Sequence, residues 1–256
     1  MSGLVYLYAV APADGAAWLR ANEVRGIGGA RVRPLVEDGV VAAVSEVPHE
    51  DFEQEPLDRN VTDASWLAPR AASHQDVNGR LLEGVGAVLP LAFGTIFRGE
   101  DRVQLALRER GSELVDALAA VRGRAEWVIT LERAADAGAP DTPAIRALRD
   151  RLAGSEPGKA YLLTRKLDEL DRSERRRLDA DAVASLRESL AGVADEITEE
   201  PIVEGGPLAR LTVLARVDRE DALRGAATAP LDGYAARVSG PWPPYRYGAR
   251  IGRLRE

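Results

Sequence analysis

Cysteine is absent from the 256 residues. That excludes disulfides, thiolate metal ligands and a cysteine nucleophile. Histidine is scarce: His49 and His74 stand alone, with no second ligand nearby in sequence, so no metal site is expected. Long apolar runs are missing too, and none approaches the roughly 18 residues a membrane helix needs. The opening MSGLVYLYAV has neither the basic region nor the long apolar region of a signal peptide and reads directly as a strand. No nucleophile elbow, phosphate loop or paired-carboxylate motif occurs, so no catalytic residue and no cofactor are expected. Lysine occurs only at Lys159 and Lys166, beside many arginines, which reads as base-composition bias in the genome.

What is present suits a folded protein. The chain is 45% hydrophobic and 29% charged, enough apolar material for a core without the charge excess of a disordered chain. The net charge of -7 disfavours general affinity for nucleic acid or anionic lipid. A cytoplasmic protein that binds neither nucleic acid nor membrane fits these properties.

Residues 4–10 are apolar throughout and rich in β-formers, which predicts a buried strand. Asp14 opens a short helix to Glu23, and 26–29 is a loop. Strands at 31–37 and 40–47 flank Asp38-Gly39, a strong hairpin signal. Thr62 or Asp63 caps the next helix, with Pro69 at its true start or at a kink. Its apolar stripe is Val77, Leu81 and Val85. Residues 88–97, VLPLAFGTIF, read as a strand with irregular ends, Pro90 favouring an edge or a strand start. One helical stripe follows through Val103, Leu107, Leu114, Leu118 and Val121, then a last strand at 127–131.

This order predicts an α+β fold. The first domain, 1–133, is expected to be ferredoxin-like: a split βαβ unit whose antiparallel sheet carries helices on one face. Residues 134–158, which include AADAGAPDTP, read as a linker with a short helix. A smaller α+β domain then spans 159–256. It holds a 3-4-spaced stripe of Val183, Leu186, Leu190, Val193 and Ile197, a strand at 210–217, a helix from Asp218, and a strand at 234–238. Residues 239–256 form an extended tail.

Several features carry a mundane reading. His74 shares a helix face with Leu67 and Leu81, as a packing histidine does. Gly26–Gly29 lacks the glycine spacing and setting of a phosphate loop. The acidic run EDFEQE at 50–55 reads as a solvated loop. RSERRR at 172–177 is diluted by acidic neighbours and reads as a wet, internally paired helix face. The tail arginines Arg246, Arg250, Arg253 and Arg255 make a second basic patch. Tyr6 and Tyr8 on the first strand raise an RNA-binding alternative, but the companion basic-Gly-aromatic strand is missing. A ferredoxin-like module binding a small ligand is the other alternative.

GPWPPY at 240–245 is less easily dismissed. Its prolines favour an extended, polyproline-like segment that loses little entropy on docking, and Trp242 and Tyr245 can serve as a clamp or as an adhesive surface.

LVYLYAV, the His74 helix, VLPLAFGTIF, PGKAYLLTRK at 157–166 and SGPWPPY, in that order, resemble the gas vesicle protein F/L family over nearly the whole chain. Two positions depart from the pattern: Ala92 where an arginine is common, and Arg246-Tyr247 where a serine–phenylalanine pair is common. The resemblance implies two α+β domains and a non-enzymatic role as a minor structural or assembly factor of gas vesicles, the gas-filled shells used for buoyancy. Its implied partners are the small hydrophobic shell protein and other accessory proteins. Candidate contact residues are Pro90, Phe93, Gly94 and Phe97 in the middle motif, and Trp242, Pro244 and Tyr245 in the last.

Overall fold

The computed structural model describes residues 3–250. The first sheet uses β1 (Leu4–Pro12), β2 (Arg33–Glu37), β3 (Val40–Val47), β4 (Leu89–Pro90) and β5 (Ile96–Arg98). Helix α1 (Gly15–Ala21) follows β1. Between β3 and β4 lie α2 (His49–Phe52), α3 (Gln54–Asn60) and α4 (Ala64–Val85). After β5 come α5 (Glu100–Glu109) and α6 (Gly111–Val121). The second sheet uses β6 (Arg124–Arg133), β7 (Glu196–Glu199), β8 (Ala209–Arg216) and β9 (Tyr234–Trp242). Its helices are α7 (Pro143–Ala153), α8 (Pro157–Ala191) and α9 (Glu220–Ala227), and α10 (Tyr245–Arg250) follows β9.

The fold is α+β with antiparallel sheets. The order in the first is β2-β3-β1-β4, with β5 also on β1, and in the second β7-β8-β6-β9. Both orders follow one rule. Within each sheet the second and third strands are neighbours, the third lies beside the first, and the first beside the fourth. The two halves thus share a strand order that no residue-level repeat announces.

In the first sheet, β1 pairs antiparallel with β3, and β2 with β3 through the predicted hairpin. Asp38 and Gly39 both take positive φ, 39° and 84°, which the tight turn requires. The expected single strand at 88–97 is two short strands. Ala9 and Val10 pair with Pro90 and Leu89, while Leu4, Val5 and Tyr6 pair with Arg98, Phe97 and Ile96. Between them Leu91 N–H donates to Tyr8 O and Leu7 N–H to Thr95 O, both at 2.9 Å, so 92–94 loop out of the ladder. Gly94, at φ 81°, makes that loop possible.

Helices cover both faces of this sheet, not one as expected. Val5, Leu7 and Val10 pack with Val103, Leu107, Leu114, Leu118 and Val121 of α5 and α6. Tyr6 and Tyr8 point the other way, toward α4. Strand β1 is therefore buried along eight consecutive residues, which explains why its sequence is apolar throughout and does not alternate. The single helix expected over 103–121 breaks at Arg110, yet the predicted stripe survives intact across the break. Helix α4 begins at Ala64, where Asp63 Oδ1 accepts from Ser65 N–H at 2.8 Å, and runs through Pro69.

The chain divides into two compact units. The first comprises the chain to Trp127, Leu214–Asp218 and the chain from Gly240, and the second comprises Val128–Val213 and Arg219–Ser239. The boundary expected over 134–158 is not where the compact units part. Three strands, β6, β8 and β9, change unit part-way along, so the division falls inside strands that composition cannot distinguish.

In the second unit, α8 is one continuous helix over the highly charged stretch and the 3-4-spaced stripe that follows it. Its buried positions include Leu163, Ala182, Leu186 and Leu190, packed under α7 and α9, while Tyr161 and Leu162 are exposed. Ile197, expected to end the helical stripe, lies on β7. Asp179 of α8 accepts from Arg133 Nε at 2.9 Å and from Tyr234 Oη at 3.0 Å, and these bonds hold its carboxyl below the usual carboxylate range.

Candidate functional site

The first unit gathers aromatic and polar side chains between β1 and α4. The Tyr6 ring centroid lies 4.7 Å from Tyr8, 6.1 Å from Phe52, 5.8 Å from His74 and 6.0 Å from Phe93. His74 lies 5.9 Å from Phe93 and 6.3 Å from Tyr245. The tilted and edge-on geometries suit aromatic quadrupoles.

A chain of hydrogen bonds threads this cluster. Gly94 N–H donates to Tyr6 Oη at 3.0 Å, and Tyr6 Oη lies 3.0 Å from His74 Nδ1. Asn78 Nδ2 faces His74 Nε2 at 3.0 Å and donates to Tyr245 Oη at 3.1 Å. With the Asn78 amide as donor, Nε2 accepts, and the network assigns the ring proton to Nδ1, toward Tyr6. Burial pushes the His74 pKa down to about 4, against a smaller upward effect of a backbone bond to Leu91. Burial likewise raises the phenols of Tyr6, Tyr8 and Tyr245, so all three stay protonated. Tyr8 Oη bonds Ser45 Oγ and accepts from Ile27 N–H, each at 2.8 Å.

The last motif closes over this cluster. Strand β9 runs on to Trp242, and α10 begins at Tyr245, so the expected free tail is an ordered segment of the first unit. Glu126, 5% exposed, accepts from Arg246 N–H at 3.0 Å and from Tyr247 N–H at 2.9 Å. Tyr247 packs on the core beside Leu91. Gly248 sits so close to Pro90 O that a Cβ there would lie 2.8 Å from it.

The structure thus unites the two motifs that the sequence singled out. Pro90 and Pro244 are buried, and Phe93, Gly94 and Tyr245 are half-buried within the network. Trp242 is 41% exposed. Phe97, expected as a contact residue, is 1% exposed and packs in the core with residues of α5 and α6. The RNA alternative loses its basis in the same way, since Tyr6 and Tyr8 are fully buried and offer no ring for a base to stack on.

Sequence reasoning missed Asn78 and Glu126. Asn78 had no signal beyond lying one turn after His74. Glu126 did: an acid between Ala125 and Trp127 in an apolar strand marks a carboxylate held inward by a donor.

The mundane readings mostly hold their place. His74 is a packing histidine with both ring nitrogens engaged. The acidic run 50–55 lies on α2 and α3, with Asp51 paired to Arg70 and Glu53 to His49 and Arg98. Gly26 is not merely a loop residue: a Cβ there would lie 2.1 Å from Tyr8 Oη. On the basic face of α8, Arg177 pairs with Glu174 and Asp181. Arg250 stacks over the Tyr247 ring at 5.9 Å, and Arg253 and Arg255 lie outside the described residues. Among the described residues, no group of three or more His, Asp or Glu side chains is placed to hold a metal, and no helix is long and apolar enough to cross a membrane.

Comparison with known proteins agrees with this architecture. The chain is 29% identical to gas vesicle protein L1 of Halobacterium salinarum over 84% of its own length and 80% of that protein. It is 28% identical to gas vesicle protein F of a Streptomyces species over 84% of its length and 87% of that protein. The crystal structure of GvpF from an Anabaena species is similar in fold, with a TM-score of 0.72 at 17% identity, covering 97% of this chain and 98% of that one. GvpF from Microcystis aeruginosa superposes with a TM-score of 0.65 at 18% identity, covering 97% and 99%. The family model described as gas vesicle synthesis protein GvpL/GvpF matches residues 4–247, and this chain belongs to that family.

Proposed function

We propose that this protein is a non-enzymatic assembly factor in gas vesicle formation, acting in the cytoplasm and at the vesicle. It holds the small hydrophobic shell protein, together with other accessory proteins, before and during polymerisation. A highly apolar subunit needs cover until it is built in, and a sheet edge with aromatic side chains beside it supplies such cover. The observation that carries this reading is the meeting of the two family motifs on one unit: the 92–94 loop with Phe93, and the segment bearing Trp242 and Tyr245. The arrangement offers Phe93 and Trp242 as contacts, with Pro90, Gly94, Pro244 and Tyr245 shaping the surface from below. The strand order of both sheets supports a ferredoxin-like reading of each half, with helices added on the second face of the first.

A pull-down of the purified full chain with the major shell protein tests the proposal. Selective capture that survives moderate salt is expected, because apolar contact is not screened. Phe93→Ser and Trp242→Ala are each expected to weaken capture at least tenfold with an unchanged circular dichroism spectrum. Undiminished capture by both folded variants, or none by the wild type, sinks this assignment.

A further inference from the structure

Glu126 stands out among the acidic residues of the first unit. It sits on β6 between two fully buried residues, Ala125 and Trp127, and is itself 5% exposed. A carboxylate taken that far from water is costly unless donors replace its hydration. Here one oxygen accepts from Arg246 N–H and the other from Tyr247 N–H, at 3.0 and 2.9 Å, so both are engaged by consecutive peptide groups of the last motif. Bonds donated to a carboxylate are the stronger kind, and here they hold the backbone rather than a side chain.

Three other contacts register the same segment. Tyr245 Oη accepts from Asn78, the half-buried Tyr247 packs against the core, and Gly248 lies against Pro90 O. Upstream, Gly240 passes over Trp127 so closely that a Cβ would sit 2.9 Å from the indole and 2.8 Å from Glu126 O. Strand β6 thus grips the segment at its start through the indole and past its middle through the Glu126 carboxylate. The residues between these grips include Trp242, Pro244 and Tyr245.

We infer that Glu126 is a positioning residue: it anchors the 240–250 segment so that Trp242 is presented, with Tyr245 held beneath it in the ring cluster, as a preformed partner surface. This rests on the proposed function for its consequence, though not for its geometry.

Hydrogen exchange read by mass spectrometry, run on the full chain beside the shell-protein capture assay, tests the inference. In Glu126→Gln, of nearly the same shape, and in Glu126→Ala, amides of 245–250 are expected to exchange at least tenfold faster while those of β1 and β3 keep wild-type protection. Capture is expected to fall as far as in Trp242→Ala. Tyr245→Phe, which removes only the Asn78 tether, is expected to loosen the segment less. Wild-type exchange of 245–250 in both Glu126 variants overturns the anchor. Faster exchange with undiminished capture overturns its role in binding. If the wild-type protein captures no shell protein, the functional reading and the binding role fall together, and the exchange data still decide whether Glu126 holds the segment. Should Glu126→Ala lose β1 protection as well, Glu126→Gln and Tyr245→Phe carry the comparison.

Discussion

At the scale of single residues, burial decides chemistry. His74 is kept neutral by desolvation, with its pKa near 4 against 6.5 for the free ring. The unfolded chain therefore takes up a proton below pH 6.5 that the folded chain refuses until about pH 4. Stability linked to His74 is complete above pH 6.5 and is lost as pH falls toward 4, amounting to about 2 to 3 kcal/mol across the window. Urea unfolding from pH 7 to 4 should show the gap between the wild type and His74→Gln narrowing steadily as pH falls. A gap that stays constant means the ring is not held neutral. Gly26 makes a second residue-scale case. The backbone there meets Tyr8 Oη, a phenol fixed by Ser45 and Ile27, so it cannot yield to a methyl group. Gly26→Ala is expected to lower stability by about 2 kcal/mol or more, and thermal unfolding measures it. Gly28→Ala would be a poor control, since its φ of 63° brings strain of its own, whereas Gly79, inside α4 with no heavy atom within 4 Å of a Cβ, serves well.

At the scale of elements, local rules succeed where a side chain meets its own backbone. Thr142 accepts from Ile145 N–H at 3.3 Å with Pro143 at the first helical position, so α7 starts where its sequence says. Thr142→Ala is expected to cost about 1 kcal/mol in denaturant unfolding. Asp14, placed before α1 in the same way, makes no side-chain cap bond, and Asp14→Ala should leave the midpoint unmoved. Where an element's course depends on a distant neighbour, local rules fail. VLPLAFGTIF looks like one strand, yet Gly94 N–H is drawn to Tyr6 Oη and the ladder opens around it. Helix α8 runs unbroken through its charged stretch, with Leu163, Leu167 and Leu170 at helical spacing in its first half and Leu186 and Leu190 buried near its end.

At the scale of the whole molecule, the first unit draws on three separated stretches of chain, the last of them beginning at Gly240. Helix α10 packs against β4, so residues 240–250 contribute to the fold of the unit. Removing residues 240–256 is expected to lower the melting temperature and to expose the ring cluster around His74, seen as a rise in binding of an apolar dye. An unchanged melting curve would mean the segment adds nothing to the unit. The removal should also abolish shell-protein capture even at temperatures where the remainder stays folded.

The sequence by itself determined the α+β class, the hairpin at Asp38-Gly39, the stripes that become the core, the packing role of His74 and the family. These follow from propensity, periodicity and motif order, which act over a few residues or survive as a linear pattern. Tertiary structure alone decided that helices cover both faces of the first sheet, that Phe97 points inward, that the chain divides within strands, and that Glu126 and Asn78 bond to the last motif. Each of these is a contact between residues far apart in the chain, and side-chain periodicity shows that a face is buried without showing what buries it. A buried carboxylate in a strand shows that donors must come, and only the fold shows that they come from Arg246 and Tyr247.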